Sequence, residues 1–525
     1  MSQLRKINHV VQLMLENRTF DQMLGFLYTD AGNRSLSGDA YDGLTGEEWN
    51  PDAAERKTKV FKITPDAAHC YLMPGADPGE GFHNTNYQLF RSDDPAPNQP
   101  PTNDGFIVNF QAAINYDLSH HYGDTLPNTA ATQVMGMYAP ETLPIMSALA
   151  RGYAVCDRWF ASAPTQTIPN RAFAAAGTSQ GHLDNKVKVF TCPSIFGRLT
   201  DAQQDWAIFG YNAPPLTRHD FPDTLHAEES HFGHFRDFQE RAAKGTLPPY
   251  TFLEPSWSSS GNSQHPNYDV ALGEQLIHDT YRALRDGPGW NETLLLITYD
   301  EHGGNFDHVA PPYGAVAPDD SVGEFNFKFD RFGVRIPALL ISPLIQKGSV
   351  FRPAQGVVDH TSVLKTLSER FQTKPLTKRD AAAPSLGDVL TLAVPRDDDV
   401  LKGLEPPRSS GQHPNHARPS TLELLHAEKV AALPVRNPQG SYAHEPPPFT
   451  TSGQVGEYIQ NRTAAWVEHR ARQHKRRAAV AQQAPRRPAQ PATTKTAPRA
   501  AGKTAPRSAS KTAKRAAGKA RRTRK

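Results

Sequence analysis

The stretch from Thr293 to His308, TLLLITYDEHGGNFDH, decides the fold class of this chain. Its first seven residues form an almost unbroken apolar run, which predicts a strand buried on both faces of a sheet. The polar run DEHGGNFDH follows at once. In open α/β sheets, ligands bind at the carboxyl ends of such strands. The stretch therefore predicts a parallel sheet with a functional site at one edge.

Similar apolar runs alternate with helical periodicity along the first 371 residues. The other predicted strands are Ile7–Leu15, Tyr153–Phe160, Trp206–Tyr211, Tyr250–Leu253 and Ile336–Ile341. The clearest predicted helices are Glu141–Arg151, Asn170–Gly177, Tyr268–Arg285 and Asp359–Phe371. This alternation predicts an α/β fold in which helices sandwich a mostly parallel sheet. Irregular segments at about 30–130 and 185–250 are expected to be insertions that decorate the sheet.

The composition supports a sizeable core but hides a charge asymmetry. Of 525 residues, 38% are hydrophobic and 21% are charged, which excludes a wholly disordered or collagen-like chain. The net charge is +3, yet residues 470–525 carry 19 Lys and Arg and no Asp or Glu. The preceding 469 residues therefore hold 38 basic against 54 acidic side chains. The chain combines an acidic body with a basic tail.

Changes in composition along the chain predict three segments. Residues 1–395 carry the α/β pattern. Residues 396–468 are an extension rich in Pro, Gly and His, loosely ordered over 403–450 and ending in a helix that begins near Gly453. Residues 469–525 repeat a KTAPR motif and contain no aromatic side chain, so they cannot bury a core and are expected to be disordered.

Cysteine use and hydropathy bear on the compartment. Cys70, Cys156 and Cys192 are an odd number at no metal-binding spacing, which favours a reducing environment over a disulfide framework. No apolar run approaches 18 residues, and the first residues lack the pattern of a secretion signal. We expect a cytoplasmic or membrane-peripheral protein, with export by another route left open.

Two polar clusters follow predicted strands and suggest a cation site. Glu16 and Asn17 come after the first strand, and Asp300 and Glu301 come after the strand quoted above. Carboxylate and amide oxygens suit a hard divalent cation, so Ca²⁺, Mg²⁺ or Mn²⁺ is favoured over Zn²⁺. Either cluster alone is explained equally well by helix capping or a turn. Two clusters in one domain favour the cation.

A hydroxyl and three histidines complete the set of candidates. Thr167, in PTQTIPNR, lies near a predicted helix start, where backbone N–H groups favour anions. A metal that lowers its pKa would let it attack phosphorus. Spacing alone favours an N-capping threonine before a helix that starts with proline. His265, His308 and His360 lie beside candidate motifs and suit general acids or phosphate ligands, although a single histidine is more often structural.

Seven long motifs in a fixed order carry a resemblance over residues 5–395. They are MLENRTFDQMLG, YAPETLPIMSALARGYAVCDRWFASAPTQTIPNRAFAAAGTSQG, TLPPYTFLEP, NSQHPNYDVALGEQLI, TLLLITYDEHGGNFDHVAPP, GVRIPALLISP and DHTSVLKTLSERF. Together they resemble the bacterial phosphoesterase family that includes phosphatidylcholine-hydrolysing phospholipases C and a related acid phosphatase. The resemblance implies an alkaline-phosphatase-like α/β fold, with 1–395 as the catalytic domain. It also implies phosphate-ester hydrolysis by a hydroxyl nucleophile beside a metal.

Matching positions carry the family's functional residues onto this chain. By that resemblance, Glu16 and Asn17 are the first metal-binding pair, and Asp300 and Glu301 are the second. Thr167 matches the nucleophile and a further metal ligand. His265 and His360 match histidines that contact the phosphate or the leaving group. His308 matches an aspartate–histidine step of the family.

The chain also departs from the family pattern. Many relatives have a histidine after the DPG turn, but here Glu80 follows Asp77–Gly79, and His83 is three residues further on. A second expected histidine is either His231 or His234. The family's export signal and the paired C-terminal β-rich domains of many of its phospholipases are not recognisable.

The resemblance implies a metal-dependent phosphoric-ester hydrolase. We expect cleavage of phospholipid headgroups through a phosphothreonine at Thr167, with a histidine such as His265 giving the leaving alcohol a proton. A broad-specificity acid phosphatase or phosphodiesterase acting on soluble esters is the alternative. A third hypothesis starts from the tail, whose Lys/Arg/Ala/Pro composition suits non-specific binding to nucleic acid or to anionic lipid.

Overall fold

A computed structural model describes residues 3–187, 189–258, 260–409, 416–436 and 445–483. Met1–Arg470 form one compact unit, and Ala471–Lys525 form a second. Residues 484–525 lie outside the described part, so the disorder predicted for the tail stays a prediction, as do the segment boundaries at 395 and 468. No described helix is both long and apolar enough to cross a bilayer. The three cysteines are free thiols.

Eight of twelve described strands form one central sheet. The strands are β1 His9–Leu15, β2 Trp49–Pro51, β3 Lys57–Lys59, β4 Phe61–Ile63, β5 Gly136–Tyr138, β6 Ala154–Val155, β7 Trp206–Gly210, β8 Phe232–His234, β9 Tyr250–Glu254, β10 Thr293–Tyr299, β11 Ala338–Ile341 and β12 Ser349–Val350. The sheet order is β12-β6-β11-β10-β1-β9-β7-β8. Five of its seven pairings are parallel, and β11 runs antiparallel to both neighbours.

Helices form two groups around this sheet. The α-helices are α1 Phe20–Leu24, α2 Phe82–Phe90, α3 Phe106–His120, α4 Pro144–Gly152, α5 Thr167–Ala176, α6 Ile195–Asp201, α7 Pro222–Leu225, α8 Phe235–Lys244, α9 Val270–Arg285, α10 Thr361–Phe371, α11 Lys378–Ala382, α12 Thr421–Ala431 and α13 Ser452–Gln483. In one group α9 contacts α4 and α8, and in the other α5 contacts α6 and α10. The predicted α/β class with a mainly parallel sheet is confirmed.

The two most central strands, β1 and β10, are almost wholly buried. All seven residues of β10 are buried, as are six of the seven in β1. The strands pair in parallel from His9 opposite Thr293 to Leu15 opposite Tyr299. Because every side chain of β10 meets protein, the strand shows no polar alternation in its sequence. Its predicted bounds are confirmed.

Two sequence predictions about the sheet need correction. The strand predicted over Tyr153–Phe160 shortens to β6, because the carboxylate of Asp157 accepts hydrogen bonds from Arg352 and from the backbone of Asp42. The segment 185–250 was expected to decorate the sheet, but it supplies β7 and β8, which extend it. The insertion at 30–130 does lie outside the central sheet and supplies α2 and α3.

The extension packs onto the body. Helix α12 begins with a capping box, in which Ser420 and Glu423 bond each other's backbone N–H groups. The buried guanidinium of Arg462 in α13 donates to the carbonyl oxygens of four residues: Val430, Ala431, Leu433 and Val435. The expectation of loose order over 403–450 is therefore wrong for 416–436. The sequence of this segment shows no strand pattern, but the capping box of α12 and the buried Arg462 order it.

Replacing Arg462 tests this attachment. Arg462→Gln leaves several buried carbonyl oxygens without a donor, so the free energy of unfolding should fall by about 2–4 kcal/mol. Arg236→Gln, at a helix arginine whose side chain is 85% exposed, is the matched control and should stay within about 0.5 kcal/mol of wild type. Urea unfolding followed by circular dichroism measures both. Equal stabilities for the two variants would contradict the attachment.

Candidate active site

The parallel pairing of β1 and β10 brings two predicted pairs of side chains together. Leu15 lies opposite Tyr299, so the chain leaves both strands at the same edge of the sheet. The Asn17 backbone N–H donates to Asp300 Oδ1 over 3.0 Å. Asn17 has a left-handed backbone with φ of 56°, which asparagine tolerates better than most residues. This conformation turns the chain just after Glu16.

A double-glycine turn closes over the same edge. Gly303 and Gly304 have φ of 60° and 66°. A Cβ at Gly303 would lie 2.0 Å from the carbonyl oxygen of Asn17, and one at Gly304 would lie 2.5 Å from that of Gly79. Only glycine fits both positions. The turn therefore presses the β10 loop against the end of β1 and against the Asp77–Gly79 turn.

Thr167 is the first residue of α5, and its hydroxyl meets this edge. Thr167 Oγ1 donates to Asn17 Oδ1 over 3.2 Å, and both residues are fully buried. One turn later Arg171 donates from Nε to Asp300 Oδ2 over 2.9 Å. Its Nη2 donates to the carbonyl oxygens of Met14 and Leu15. Arg171 thus fixes α5 against the ends of both strands.

Glu80 joins the same cluster. Its carboxylate accepts a hydrogen bond from the Asn17 side-chain amide and interacts with the Glu301 carboxyl group. His83 instead lies in an exposed contact with the Asp93 carbonyl and with Phe325. The histidines left open by the sequence lie elsewhere too, because His231 stacks on Trp206 and His234 packs on Trp466. None of the three lines the cavity described below.

Asp300 is neutralised by Arg171, but no Lys or Arg of the described residues pairs with Glu16, Glu80 or Glu301. Burial raises the pKa of Glu16 to about 7 and, with repulsion from Asp77, that of Glu80 to about 8. Burial, together with the charges of Glu80 and Asp300, raises the pKa of Glu301 well above its usual range. Glu16 Oε1 and Glu301 Oε1 are buried without a hydrogen-bond donor.

Crowded buried carboxylates with two orphaned oxygens fit a bound cation. The predicted ligands Glu16, Asn17, Thr167, Asp300 and Glu301 do lie together at this edge. Their donor atoms are all oxygens, which suits Ca²⁺, Mg²⁺ or Mn²⁺.

A cavity of about 280 Å³ opens beside the cluster. Glu16 and His265 line its inner end, and the lining also includes acidic and aromatic side chains: Asp77, Glu80, Asp124, Tyr116, Trp257 and Tyr268. The segment Arg418–Leu422 of the extension lines it as well. The Arg418 guanidinium lies 4.0 Å from the centre of the Tyr122 ring, which holds it at this wall.

The ring of His265 has a defined orientation. Its Nδ1 lies 3.0 Å from the Pro266 carbonyl oxygen, so Nδ1 carries the proton that bonds it. In the neutral ring, Nε2 then carries a lone pair. That atom lies 3.9 Å from Asp77 Oδ1.

His360 lies on the other side of Asp300. Its Nε2 donates to the Asp300 carbonyl oxygen over 2.6 Å, and burial lowers its pKa, which keeps the ring neutral. Its Nδ1 is buried without a partner. His360 does not line the cavity, so the structure places it behind a predicted ligand.

His308 belongs to a second buried cluster. Its Nδ1 bonds Asp21 Oδ2 over 2.7 Å, and Nε2 lies 3.6 Å from Asp42 Oδ1. The fully buried Arg335 pairs with Asp21 and Asp307 in the same cluster. Although burial opposes the charge, these carboxylates raise the pKa of His308 to about 10. The structure does not bring His308 together with Thr167.

This shift predicts how stability depends on pH. A histidine whose folded pKa exceeds its unfolded value stabilises the fold fully below the unfolded value and loses that effect as pH rises through the folded one. For His308 the window runs from 6.5 to about 10. Wild type should therefore exceed His308→Gln in unfolding free energy most at about pH 6 and least near pH 10. Urea titrations of both proteins across that range measure the gap, and a constant gap would contradict the shift.

Comparison with known proteins places the chain in a family. The profile described as the Phosphoesterase family matches residues 7–374. Non-specific phospholipase C6 of Arabidopsis thaliana is 34% identical over 488 residues, covering 88% of this chain and 87% of that protein. Phospholipase C B of Mycobacterium tuberculosis is 27% identical over 448 residues, covering 75% and 79%. The chain belongs to the phosphoesterase family and is a phosphoric-ester hydrolase, so the resemblance is confirmed.

The solved structures that the comparison found are more distant. A protein in the alkaline phosphatase superfamily from Vibrio parahaemolyticus is 15% identical, covers 46% of this chain and 64% of its own, and gives a TM-score of 0.30. A phosphonate monoester hydrolase of Agrobacterium radiobacter is 12% identical, covers 47% and 72%, and gives 0.28. Scores this low carry no functional weight.

Sequence reasoning missed Arg171 and left Glu80 undecided. Both lie in motifs that the resemblance had singled out, Arg171 after Pro169-Asn170 and Glu80 after the DPG turn. An arginine one turn after the candidate nucleophile was the available signal. For Glu80 no local signal existed, because its partners Asn17 and Glu301 are distant in sequence.

Proposed function

We propose that the chain is a phospholipase C-type hydrolase in which Thr167 attacks the phosphorus of a phospholipid headgroup. The observation that supports this is the hydrogen bond of 3.2 Å from the Thr167 hydroxyl to Asn17 Oδ1, at the sheet edge where Glu16 Oε1 and Glu301 Oε1 are buried without a donor. An alcohol is a weak nucleophile unless its pKa is lowered. A hydroxyl among cation ligands meets that requirement.

The side chains have distinct tasks in the first step. Glu16, Asn17, Thr167, Asp300 and Glu301 would hold a divalent cation, whose charge would lower the pKa of the Thr167 hydroxyl. Thr167 Oγ1 releases its proton to solvent and forms a bond to phosphorus, while the bond from phosphorus to the alcohol oxygen breaks and that oxygen takes up a proton. Arg171 Nε donates to the Asp300 carboxylate, and His360 Nε2 donates to the Asp300 carbonyl oxygen. Both contacts hold Asp300 in place. The start of α5 adds a favourable field for the anionic phosphate.

Water then hydrolyses the phosphothreonine and regenerates the hydroxyl. His265 lies on the cavity side, where the leaving alcohol would be. Because its Nδ1 bonds Pro266, only the imidazolium form can give a proton from Nε2. His308, paired with Asp21, has a positioning role for the β10 loop in this scheme.

The relatives' names favour a phospholipid substrate. Both the plant and the mycobacterial relatives are named phospholipases C. The cavity of about 280 Å³ is of a size for a phosphate and a small alcohol, so acyl chains would remain outside. A soluble phosphate ester would fit the same space and is the alternative. The tail's predicted affinity for anionic lipid or nucleic acid stays a separate prediction.

Thr167→Ala tests the nucleophile. Losing it should lower kcat at least about a thousandfold on phosphatidylcholine, because the oxygen that forms the intermediate is removed. Thr167→Ser keeps a hydroxyl at the same place and is the control that should retain activity. Rapid quenching followed by mass spectrometry should find phosphocholine esterified to residue 167 of wild type. Wild-type rates in Thr167→Ala would refute the assignment.

A substrate panel with metal add-back tests the substrate class. Chelator-treated protein should lose activity, and Mn²⁺, Mg²⁺ or Ca²⁺ should restore it, since the ligands are oxygens. Restored enzyme should release diacylglycerol and phosphocholine from phosphatidylcholine vesicles. Faster hydrolysis of a soluble chromogenic monoester than of the lipid would favour the acid phosphatase alternative instead.

A further inference from the structure

A second group of metal-ligating side chains faces the same cavity. Asp77, Glu80 and His265 each offer a ligand atom, and these atoms all lie within 4.8 Å of one another. Glu80 and His265 are each only 8% exposed. This group is distinct from the predicted ligands of the first cation, which are Glu16, Asn17, Thr167, Asp300 and Glu301. Glu80 nevertheless contacts two of those ligands, Asn17 and Glu301.

The imidazole orientation is independent evidence for a ligand. His265 Nδ1 donates to Pro266, which leaves the Nε2 lone pair of the neutral ring directed at Asp77. Nε2 makes no hydrogen bond within the described residues, and Asp77 Oδ1 also lacks one. Two lone pairs 3.9 Å apart repel, and a cation bound between them would relieve that repulsion. A neutral histidine fixed through Nδ1 is also the usual form of a metal ligand.

Charge balance points the same way. Five carboxylates belong to the two groups of candidate ligands: Glu16, Asp77, Glu80, Asp300 and Glu301. Asp117 and Asp124 also line the cavity. Among the described residues, three guanidinium groups lie near them: those of Arg171, which pairs with Asp300, of Arg18, which interacts with Asp77, and of Arg418 in the cavity wall. A single divalent cation would leave more negative than positive charge before any phosphate enters. A second one would remove that excess, which favours entry of an anionic ester.

We propose that Asp77, Glu80 and His265 bind a second divalent cation, so that the active site holds two. This inference rests on the proposed function for the first cation and for Thr167. Glu80 connects the two cation sites, because its carboxylate also contacts Asn17 and Glu301 of the first site. Two carboxylates with one imidazole suit Mn²⁺ or Zn²⁺ better than Ca²⁺. His265 would then hold a cation on the leaving-group side, and that cation would stabilise the departing oxygen electrostatically until it takes a proton from water.

Metal counting on the full chain tests this proposal. Chelator-treated protein is loaded with Mn²⁺, dialysed to equilibrium and analysed for bound metal, and its electron paramagnetic resonance spectrum is recorded. Wild type should hold two Mn²⁺ per chain and give the broadened spectrum of a coupled pair. Asp77→Asn should hold one and give the resolved hyperfine lines of an isolated ion. A wild-type protein that holds one overturns the proposal.

Controls separate the triad from the general charge of the cavity. Asp124→Asn removes another cavity carboxylate and should still hold two Mn²⁺. A drop to one in this variant would overturn the assignment to Asp77. His265→Gln removes the nitrogen ligand and should match Asp77→Asn, and circular dichroism verifies that each variant is folded. If His265→Gln and Asp77→Asn both keep the coupled spectrum, the proposal is wrong.

Failure of the second-cation proposal can be distinguished from failure of the proposed function. A wild-type enzyme with one Mn²⁺ that hydrolyses phosphatidylcholine through residue 167 overturns only the second cation. A protein with two coupled Mn²⁺ and no phosphorylated Thr167 supports the second site and overturns the nucleophile.

Discussion

The parallel pairing of β1 with β10 is the constraint on which the site depends. Both strands are almost wholly buried, and their register brings the chain out of the sheet at one edge, just before Glu16 and Asp300. Desolvated apolar side chains along both strands stabilise that register, since a shift by one residue would exchange the two faces of the strand. The hydrophobic core therefore determines which polar groups meet.

Bringing these groups together is costly without a counter-charge. Buried carboxylates repel one another and lose hydration, and this raises the pKa values of Glu16, Glu80 and Glu301. Arg171 neutralises only Asp300 and also bonds the end of β1. The second cluster around Arg335 solves the same problem with an arginine and a charged histidine, so its carboxylates need no added cation. Both clusters contact the loop that follows β10. The cluster around Arg335 is neutralised by protein side chains, whereas the cluster around Glu16 and Glu301 fits a cation.

The extension takes part in the candidate site although its sequence suggests a loose appendage. The segment Arg418–Leu422 lines the cavity opposite Glu16, and Arg462 fastens the end of α12 from α13. The alignment with the plant relative covers 88% of the chain, so it extends past the 368 residues that the family profile matches. Because Arg418–Leu422 form part of the cavity wall, access of substrate to the cavity depends on the folding of α12 and α13.

The amino-acid sequence by itself determined the α/β class, the bounds of β10, the meeting of the two polar pairs and the position of Thr167 at a helix start. These follow from local apolar runs and from the shared edge of parallel strands, which depend on neighbours in sequence. Only the tertiary structure decided that Glu80 and Arg171 join the cluster, that His308 lies in another one, and that α12 reaches the cavity. Those contacts join residues far apart along the chain, and their geometry depends on packing that no local pattern records.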